Sequence, residues 1–418
     1  MDCGTSAANT VANEMRESFQ DFIAKRSIVF PTIFSRMSGN GKKRARILSP
    51  FSLLSVNNFR VRNKKYIFFS ARHAELIAQF AKDEAALIGG PRELRIAMKL
   101  GLPFCFVGDL YWAAYDILFG LGHNRPSWRS ALVINRWVKF FSQQENPCYL
   151  IMPTDTLPIP LMLAKIAGES GNVRVVCVQH GLFNTGYKHD DIDGRNSQIN
   201  LVYSLKQRAE LLRRLPDALV EVMGYPAEYH CEAPRTSTPR FAVLVGTGAL
   251  ENMRIYDASL SIFKAIESVM KDIGFKVEYR PHPTERSVHY DKLGFAINRE
   301  AKNTLLSDEC KVFFGFTSTL LYEAHLAGHL AIVLNDPCLP GYSIEQFGVT
   351  IQTSDIERVA TIVAQQWQRI KAQQVDYTPV LRIRFDEAIA RGDQRLAIAV
   401  GRRKRAKESE PKPAKTYK

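Results

Sequence analysis

A chain of 418 residues, 46% of them hydrophobic, is too long for one ordinary α/β core and is sized for two. Its seven cysteines are odd in number and lack CxxC spacing, which argues against a disulfide framework and a structural zinc site and fits a reducing cytoplasm. The formal charge of +14 is uneven: Arg36 to Lys65 holds nine basic residues and no acid, Arg402 to Lys418 is also strongly basic, and the rest of the chain is close to neutral.

That distribution bears on partners. A nucleic-acid enzyme more often carries its positive charge on the folded face, so no nucleic-acid partner is expected. Short polybasic segments beside Phe51, Leu53, Leu54 and Phe59 suit an anionic membrane surface, at about 1 kcal/mol per basic residue near it. For the C-terminal tail, a solubilising role is as good a reading. The N-terminus, with Asp2, Glu14, Glu17 and Asp21, has no secretory pattern. The most apolar stretch, Gly101 to Gly122, contains Asp109 and Asp116 and reads as buried rather than membrane-spanning.

In chain order, residues 1–65 read as an accessory basic region with an amphipathic helix around Val11 to Phe22. Regular α/β punctuation begins at Tyr66 to Ser70, a short apolar strand. Leu76, Ile77, Phe80 and Leu87 predict a helix over 72–87. Pro103 to Val107 and Tyr149 to Met152 read as the second and third strands. Pro153-Thr154-Asp155-Thr156 and a helix from Ile159 follow, then a strand from Val173 ending at Gln179-His180-Gly181. Short strands at Leu201–Tyr203 and Val220–Met223 lead to Gly224-Tyr225-Pro226, which closes a first domain over 66–231. Residues 232–240, rich in Pro, Ser and Thr, form a linker.

A second domain over 241–380 opens with the strand Phe241–Val245 and the turn Gly246-Thr247-Gly248. A helix from Ala258 to Ile273 and a strand from Lys276 lead into Arg280-Pro281-His282-Pro283. The strand at Lys311 leads into Thr317-Ser318-Thr319 and a helix; strands at Leu330 and Val349 and a helix over 357–373 complete it. A last helix over 381–400 packs back on the first domain, before a basic tail over 401–418. Strand alternating with helix predicts a parallel sheet in each half, and ligands of such sheets bind outside the strands' carboxyl ends.

Several of those ends carry chemistry. Two prolines around His282 stiffen its turn, and with the fork of Arg280 it suits an anionic oxygen. Thr317-Ser318-Thr319 opens a helix, where hydroxyls and unsatisfied N–H groups make an anion site, although the same residues also serve as an ordinary cap. Glu323 lies one turn deeper, where a carboxylate can take ribose hydroxyls. Thr247 and Gly248 belong to a fragment of a phosphate turn that lacks the third glycine of a dinucleotide fingerprint. In the first half, His180 can act as a general base near neutral pH. Asp155, Asp190, Asp191 and Asp193 compete for that role or fix the imidazole's tautomer.

Taken together, Val178-Gln179-His180-Gly181, Gly224-Tyr225-Pro226, Arg280-Pro281-His282-Pro283 and Thr317-Ser318-Thr319 with Glu323 and Gly328 resemble bacterial surface-polysaccharide glycosyltransferases of the GT-B fold. The His-Pro and Ser/Thr pair is similar to that of sialic acid and Kdo transferases, which use CMP-sugars. The Gln-His-Gly and Gly-x-Pro elements resemble CDP-glycerol glycerophosphotransferases. The resemblance implies two Rossmann-like α/β domains facing a cleft, and no metal or cofactor beyond the nucleotide-sugar substrate. It also implies a glycan or lipid-linked glycan acceptor, in a cytoplasmic enzyme peripheral to the inner membrane.

By the same resemblance, His282, Ser318 and Thr319 contact the donor phosphate and Glu323 lies near the ribose. Asp191-Ile192-Asp193-Gly194 departs by one inserted residue from the acidic-acidic-Gly motif that carries the sialyltransferases' base. His180, Asp155 and Asp193 therefore stand as the catalytic candidates, with His180 first. A UDP-sugar epimerase, a CDP-polyol phosphotransferase and a non-catalytic subunit of a glycan-assembly complex are the alternatives.

Overall fold

The computed structural model describes residues 7–18, 61–119, 127–144, 147–181, 194–227, 240–247, 253–283, 285–307, 309–336, 349–370 and 381–409. They divide into two compact units, one holding the described residues to His180, from Gly194 to Ala227 and from Leu381 onward, the other those from Arg240 to Ile370. Each unit is an α/β layer structure built on its own parallel sheet. No described helix is long and apolar enough to cross a membrane.

The first unit contains helix α1 (7–18), then β1 (Tyr66–Phe69), the short α2 (Ala74–Ile77), β2 (Ala85–Gly89), α3 (Pro91–Leu100), β3 (Phe104–Phe106), α4 (Gly108–Phe119) and α5 (Trp128–Ser142). It continues through β4 (Cys148–Met152), α6 (Pro158–Ser170), β5 (Val173–Val178), β6 (Ile199–Val202), α7 (Leu205–Arg214) and β7 (Val220–Val222). The seven strands lie in the order β3-β2-β1-β4-β5-β6-β7, all pairs parallel. That is doubly wound topology with its switch point between β1 and β4.

Side chains alternate across such a sheet, and two cores result. Ile67, Phe69, Ile88, Leu150, Met152 and Val175 face a core shared with α1, α4, α5 and α6. Tyr66, Phe68, Leu87, Tyr149, Ile151, Val176 and Leu201 face the other, which the C-terminal helix helps to cover.

Two expectations need correction here. The predicted helix over 72–87 is a single helical turn followed by strand β2, whose five residues are all buried. A strand buried on both faces has no period of two, and Leu87 fits a helical spacing equally well. The strands at Phe104 and Cys148 are therefore the third and fourth. The region 1–65 is not wholly accessory, because Ala8, Val11, Ala12 and Met15 of α1 and Val61 are buried in the first core. Arg16 of α1 also donates to the Ile117 carbonyl at 3.2 Å. The basic stretch 36–60, the linker 232–239 and the chain after Ser409 lie outside the described residues.

The second unit runs β8 (Phe241–Val245), α8 (Met253–Asp272), β9 (Lys276–Arg280), α9 (Ser287–Tyr290), α10 (Lys302–Ser307), β10 (Lys311–Gly315), α11 (Thr319–Leu326), β11 (Leu330–Asn335), β12 (Val349–Gln352) and α12 (Val359–Ile370). Strand order is β12-β11-β10-β8-β9, the flavodoxin-like arrangement, with its switch point between β8 and β10. Leu244, Val277, Tyr279, Val312, Phe314 and Ile332 pack under Phe263, Ile266 and Met270 of α8 and Val359 and Val363 of α12.

The last helix, α13 (Leu381–Ser409), belongs to the first unit. Leu381, Phe385, Ala388 and Ile389 are buried against its sheet. Tyr66 donates to Asp386 at 2.8 Å, and Arg395 donates to Glu221 at 2.6 Å. Gly392 allows the helix to approach closely, since a Cβ there would come within 2.7 Å of Ile199.

Candidate functional site

Each unit carries a cluster of polar residues at the carboxyl ends of its strands. In the first, the turn after β1 holds Ser70, a non-glycine residue at φ 79°, followed by Arg72 and His73. A side chain held in that sparsely populated region marks a turn over-determined by its surroundings. Across the switch point, β4 ends in Pro153-Thr154-Asp155, and β5 beside it ends in Gln179-His180.

These ends are tied together. His180 Nδ1 lies 2.5 Å from the Pro153 carbonyl oxygen. A carbonyl only accepts, so Nδ1 carries the proton and the neutral ring's lone pair is on Nε2. His180 is half-buried. Its neighbour Gln179 is buried and fully engaged: Oε1 accepts from Tyr203 N at 2.9 Å, and the amide donates to Gln207. Gln179 thus fixes the backbone that presents His180.

His73, which no motif singled out, is buried at 8% exposure, with Nε2 3.4 Å from the Val178 carbonyl. Burial first, and then the nearby His180, push its pKa down to about 3. Position after a strand and histidine chemistry are the signals that point to it; they are the same ones that identified His180.

Asp155 is a different kind of residue from the one its motif suggested. It is 0% exposed. Oδ1 accepts from Gly194 N at 2.8 Å, and Oδ2 accepts from Asn196 N at 2.6 Å and Ser197 Oγ at 2.9 Å. A general base needs a lone pair within reach of substrate; this carboxylate is committed to the segment leading into β6. Asp155 thereby ties the end of β4 to the segment leading into β6. Asp190, Asp191 and Asp193 lie outside the described residues.

In the second unit, β8 and β10 flank the switch point. β8 ends in Gly246-Thr247, with Thr247 half-buried, while Gly248 lies outside the described residues. β10 ends in Phe316-Thr317-Ser318, and α11 begins at Thr319. Ser318 is the N-cap: its Oγ accepts from Leu320 N at 3.3 Å. A hydroxyl that accepts in the cap still has a proton to donate, so the cap and an anion site are compatible. Thr317, Ser318 and Thr319 are all partly exposed.

His282, also partly exposed, stands in the turn after β9. The turn is closed by Glu285 N donating to His282 O at 2.8 Å. Arg280 has local partners: Nη1 donates to Asn298 Oδ1 and to the Glu300 carbonyl, both at 2.8 Å. Its guanidinium fastens the end of β9 to the 298–300 segment. Burial lowers its pKa, with Glu300 and Glu323 opposing the shift.

Glu323 is buried at 6% exposure on α11 and accepts from Lys302 Nζ at 3.0 Å. Lys302 is a partner that sequence reasoning missed, because it lies 21 residues away on another helix. Glu285 was missed too, although it stands three residues after His282. Among the described residues, no three His, Cys, Asp or Glu side chains gather as a metal-binding group.

No family model and no curated protein matches the chain. Solved structures give distant likenesses. A UDP-GlcNAc 2-epimerase from Methanocaldococcus jannaschii, in complex with UDP-GlcNAc and UDP, is 11% identical with a TM-score of 0.46, over 81% of this chain and 99% of that one. A glycosyltransferase from Rickettsia africae is 12% identical with a TM-score of 0.45, over 74% and 90%. The GtfA/B complex is 13% identical with a TM-score of 0.37, over 65% of this chain and 59% of that one. None of these likenesses assigns a role to a residue here.

Proposed function

We propose that the protein is a glycosyltransferase that moves a sugar from a nucleotide donor to a surface glycan or lipid-linked glycan. The observation that carries this reading lies in the second unit: Thr247 and Thr317-Ser318-Thr319 stand at the carboxyl ends of the two strands that flank its switch point. Hydroxyls and helix N-terminal N–H groups at a switch point suit a phosphorylated ligand, and His282 on the next strand end adds an imidazole. The similarity of the His-Pro and Ser/Thr elements to those of sialic acid and Kdo transferases favours a CMP-sugar.

In the proposed reaction the bond from the sugar's anomeric carbon to the donor phosphate breaks, and its electron pair leaves with CMP. Donors at the phosphate, His282 and Thr317-Ser318-Thr319, stabilise that developing charge. The acceptor hydroxyl forms the new glycosidic bond, and a general base takes its proton; His180 is our first candidate for that base. These steps call on no metal ion. The basic segments at both ends hold the enzyme to an anionic membrane surface on the cytoplasmic side of the inner membrane.

A thermal-shift panel of CMP, CDP, UDP and GDP tests the reading, since a nucleotide that binds the native state raises Tm by mass action. A response to CMP is expected. A response to UDP or GDP alone rejects the CMP donor, and no response to any of the four rejects the nucleotide site. Substitution of His282 by alanine is expected to abolish transfer in a protein that still folds; full activity in that variant would remove His282 from the donor site.

A further inference from the structure

Under the turn that carries His282 lies a set of contacts that no motif reveals. Glu285 Oε2 accepts from Tyr279 Oη at 2.6 Å and from Tyr256 Oη at 3.1 Å. Both tyrosines are 0% exposed. Their rings are locked by packing: Tyr279 stacks on Phe295 at 5.0 Å between centroids and meets Phe263 at 5.9 Å. Tyr256 comes from α8 and Tyr279 from β9, so the carboxylate is held by two different elements of the unit.

Glu285 also touches the phosphate turn. Gly246 N donates to Arg280 O at 2.9 Å, which brings the ends of β8 and β9 together. A Cβ at Gly246 would run into Glu285 Oε1 and lie 2.8 Å from both His282 N and Tyr279 Oη. The carboxylate, the His282 backbone and the end of β8 therefore meet at one point, which only a glycine can occupy. Glu285 N closes the turn by donating to His282 O.

We propose that Glu285 is a positioning residue: anchored by Tyr256 and Tyr279, it holds the His282 turn against the Gly246-Thr247 turn so that both address one donor phosphate. This rests on the reading of His282 as a donor contact. Glu285 need not touch the donor. A turn between two prolines is already stiff, and the Gly246 N–Arg280 O bond ties its base to the end of β8; the two phenols add an anchor for the carboxylate that lies where the two turns meet. Both phenols also stay protonated far above neutral pH: burial, and then the Glu285 charge, raise their pKa values. The donor–acceptor sense of the clamp is thus constant over the working range.

The test compares wild type with the double variant Tyr256→Phe/Tyr279→Phe, which deletes both hydroxyls and keeps both rings, and with Glu285→Gln and Glu285→Ala. The probe is whichever of CMP, CDP, UDP and GDP raises the wild-type Tm. The double variant is expected to fold and to bind that nucleotide about tenfold more weakly, the scale of a lost hydrogen bond to a charged group. In transfer assays, KM for the donor should rise with it while KM for the acceptor and kcat at saturating donor stay near wild type. Glu285→Gln keeps an acceptor oxygen and should restore most of the affinity that Glu285→Ala loses.

A purely structural role predicts a lower Tm with unchanged nucleotide affinity. If the wild type binds nucleotide and the double variant binds it equally well, the Glu285 assignment is overturned and the donor-site reading stands. If no nucleotide binds the wild type, the donor-site reading fails and takes this proposal with it.

Discussion

His180 Nδ1 meets the carbonyl oxygen of Pro153 at 2.5 Å, and this one contact sets the chemistry of the imidazole. A carbonyl only accepts, so the proton is placed on Nδ1, and in the neutral imidazole the lone pair belongs to Nε2. A backbone carbonyl at the end of a buried strand is a rigid partner. The ring is therefore oriented by the sheet itself, with Gln179 fixed on one side by Tyr203 N and Gln207.

If that imidazole is the base, replacing His180 by alanine should lower kcat by about 10²- to 10⁴-fold, the usual worth of a positioned general base. Nucleotide affinity, measured by titration calorimetry, should be unchanged, because the proposed donor contacts belong to the other unit. Equal losses in donor affinity and in turnover would assign His180 to binding instead.

Asp155 should behave in the opposite way. Its carboxylate accepts from Gly194 N, Asn196 N and Ser197 Oγ at full burial. Asp155→Ala leaves those donors without their acceptor and should cost about 3 kcal/mol of stability. Urea unfolding of the full chain measures this. Turnover per folded molecule should fall far less than in the His180 variant.

Much of this organisation is legible in the sequence, and the limits have physical causes. Strands β8, β9 and β10 end in Gly-Thr, Arg-Pro-His-Pro and Thr-Ser-Thr, so their carboxyl ends announce themselves. β2 does not, because Ala85–Gly89 is buried on both faces and has no alternation. A partner far away in sequence leaves no local trace: Asp155 finds its donors 39 to 42 residues on, and Glu285 finds Tyr256 29 residues back. Residue type and strand-end position therefore single out Asp155 but do not reveal the three donors it accepts from. Arg280 shows the same limit, since its Nη1 partners Asn298 and Glu300 lie 18 and 20 residues on.

His73 gives a pH prediction. Its pKa in the fold is about 3, against an ordinary 6.5, so the folded protein holds it neutral and the unfolded chain binds the proton first. Its contribution to stability is complete above pH 6.5 and is lost progressively as pH falls from 6.5 toward 3. The slope is on the order of 1 kcal/mol per pH unit. Comparing urea midpoints at pH 5 and pH 7 for wild type and His73→Gln isolates it: the wild type should lose more stability on acidification than the variant. Parallel losses would show that His73 is not the group responsible.

Glu323 offers a test of ligand chemistry. It is buried, and Lys302 holds Oε1 at 3.0 Å, so the carboxylate is fixed one turn below the Thr317-Ser318-Thr319 cap. A carboxylate there that accepts a ribose hydroxyl should make the protein prefer CMP to dCMP, because the missing 2′-hydroxyl leaves an acceptor unmatched. The preference should be about tenfold in wild type. Glu323→Gln should narrow it, chiefly by weakening CMP, since an amide accepts less strongly than a carboxylate. Lys302→Met should narrow it less, because the carboxylate remains but loses its tether. Equal affinity of the wild type for CMP and dCMP would move Glu323 out of the ribose site and leave it as the buried half of an ion pair on α11.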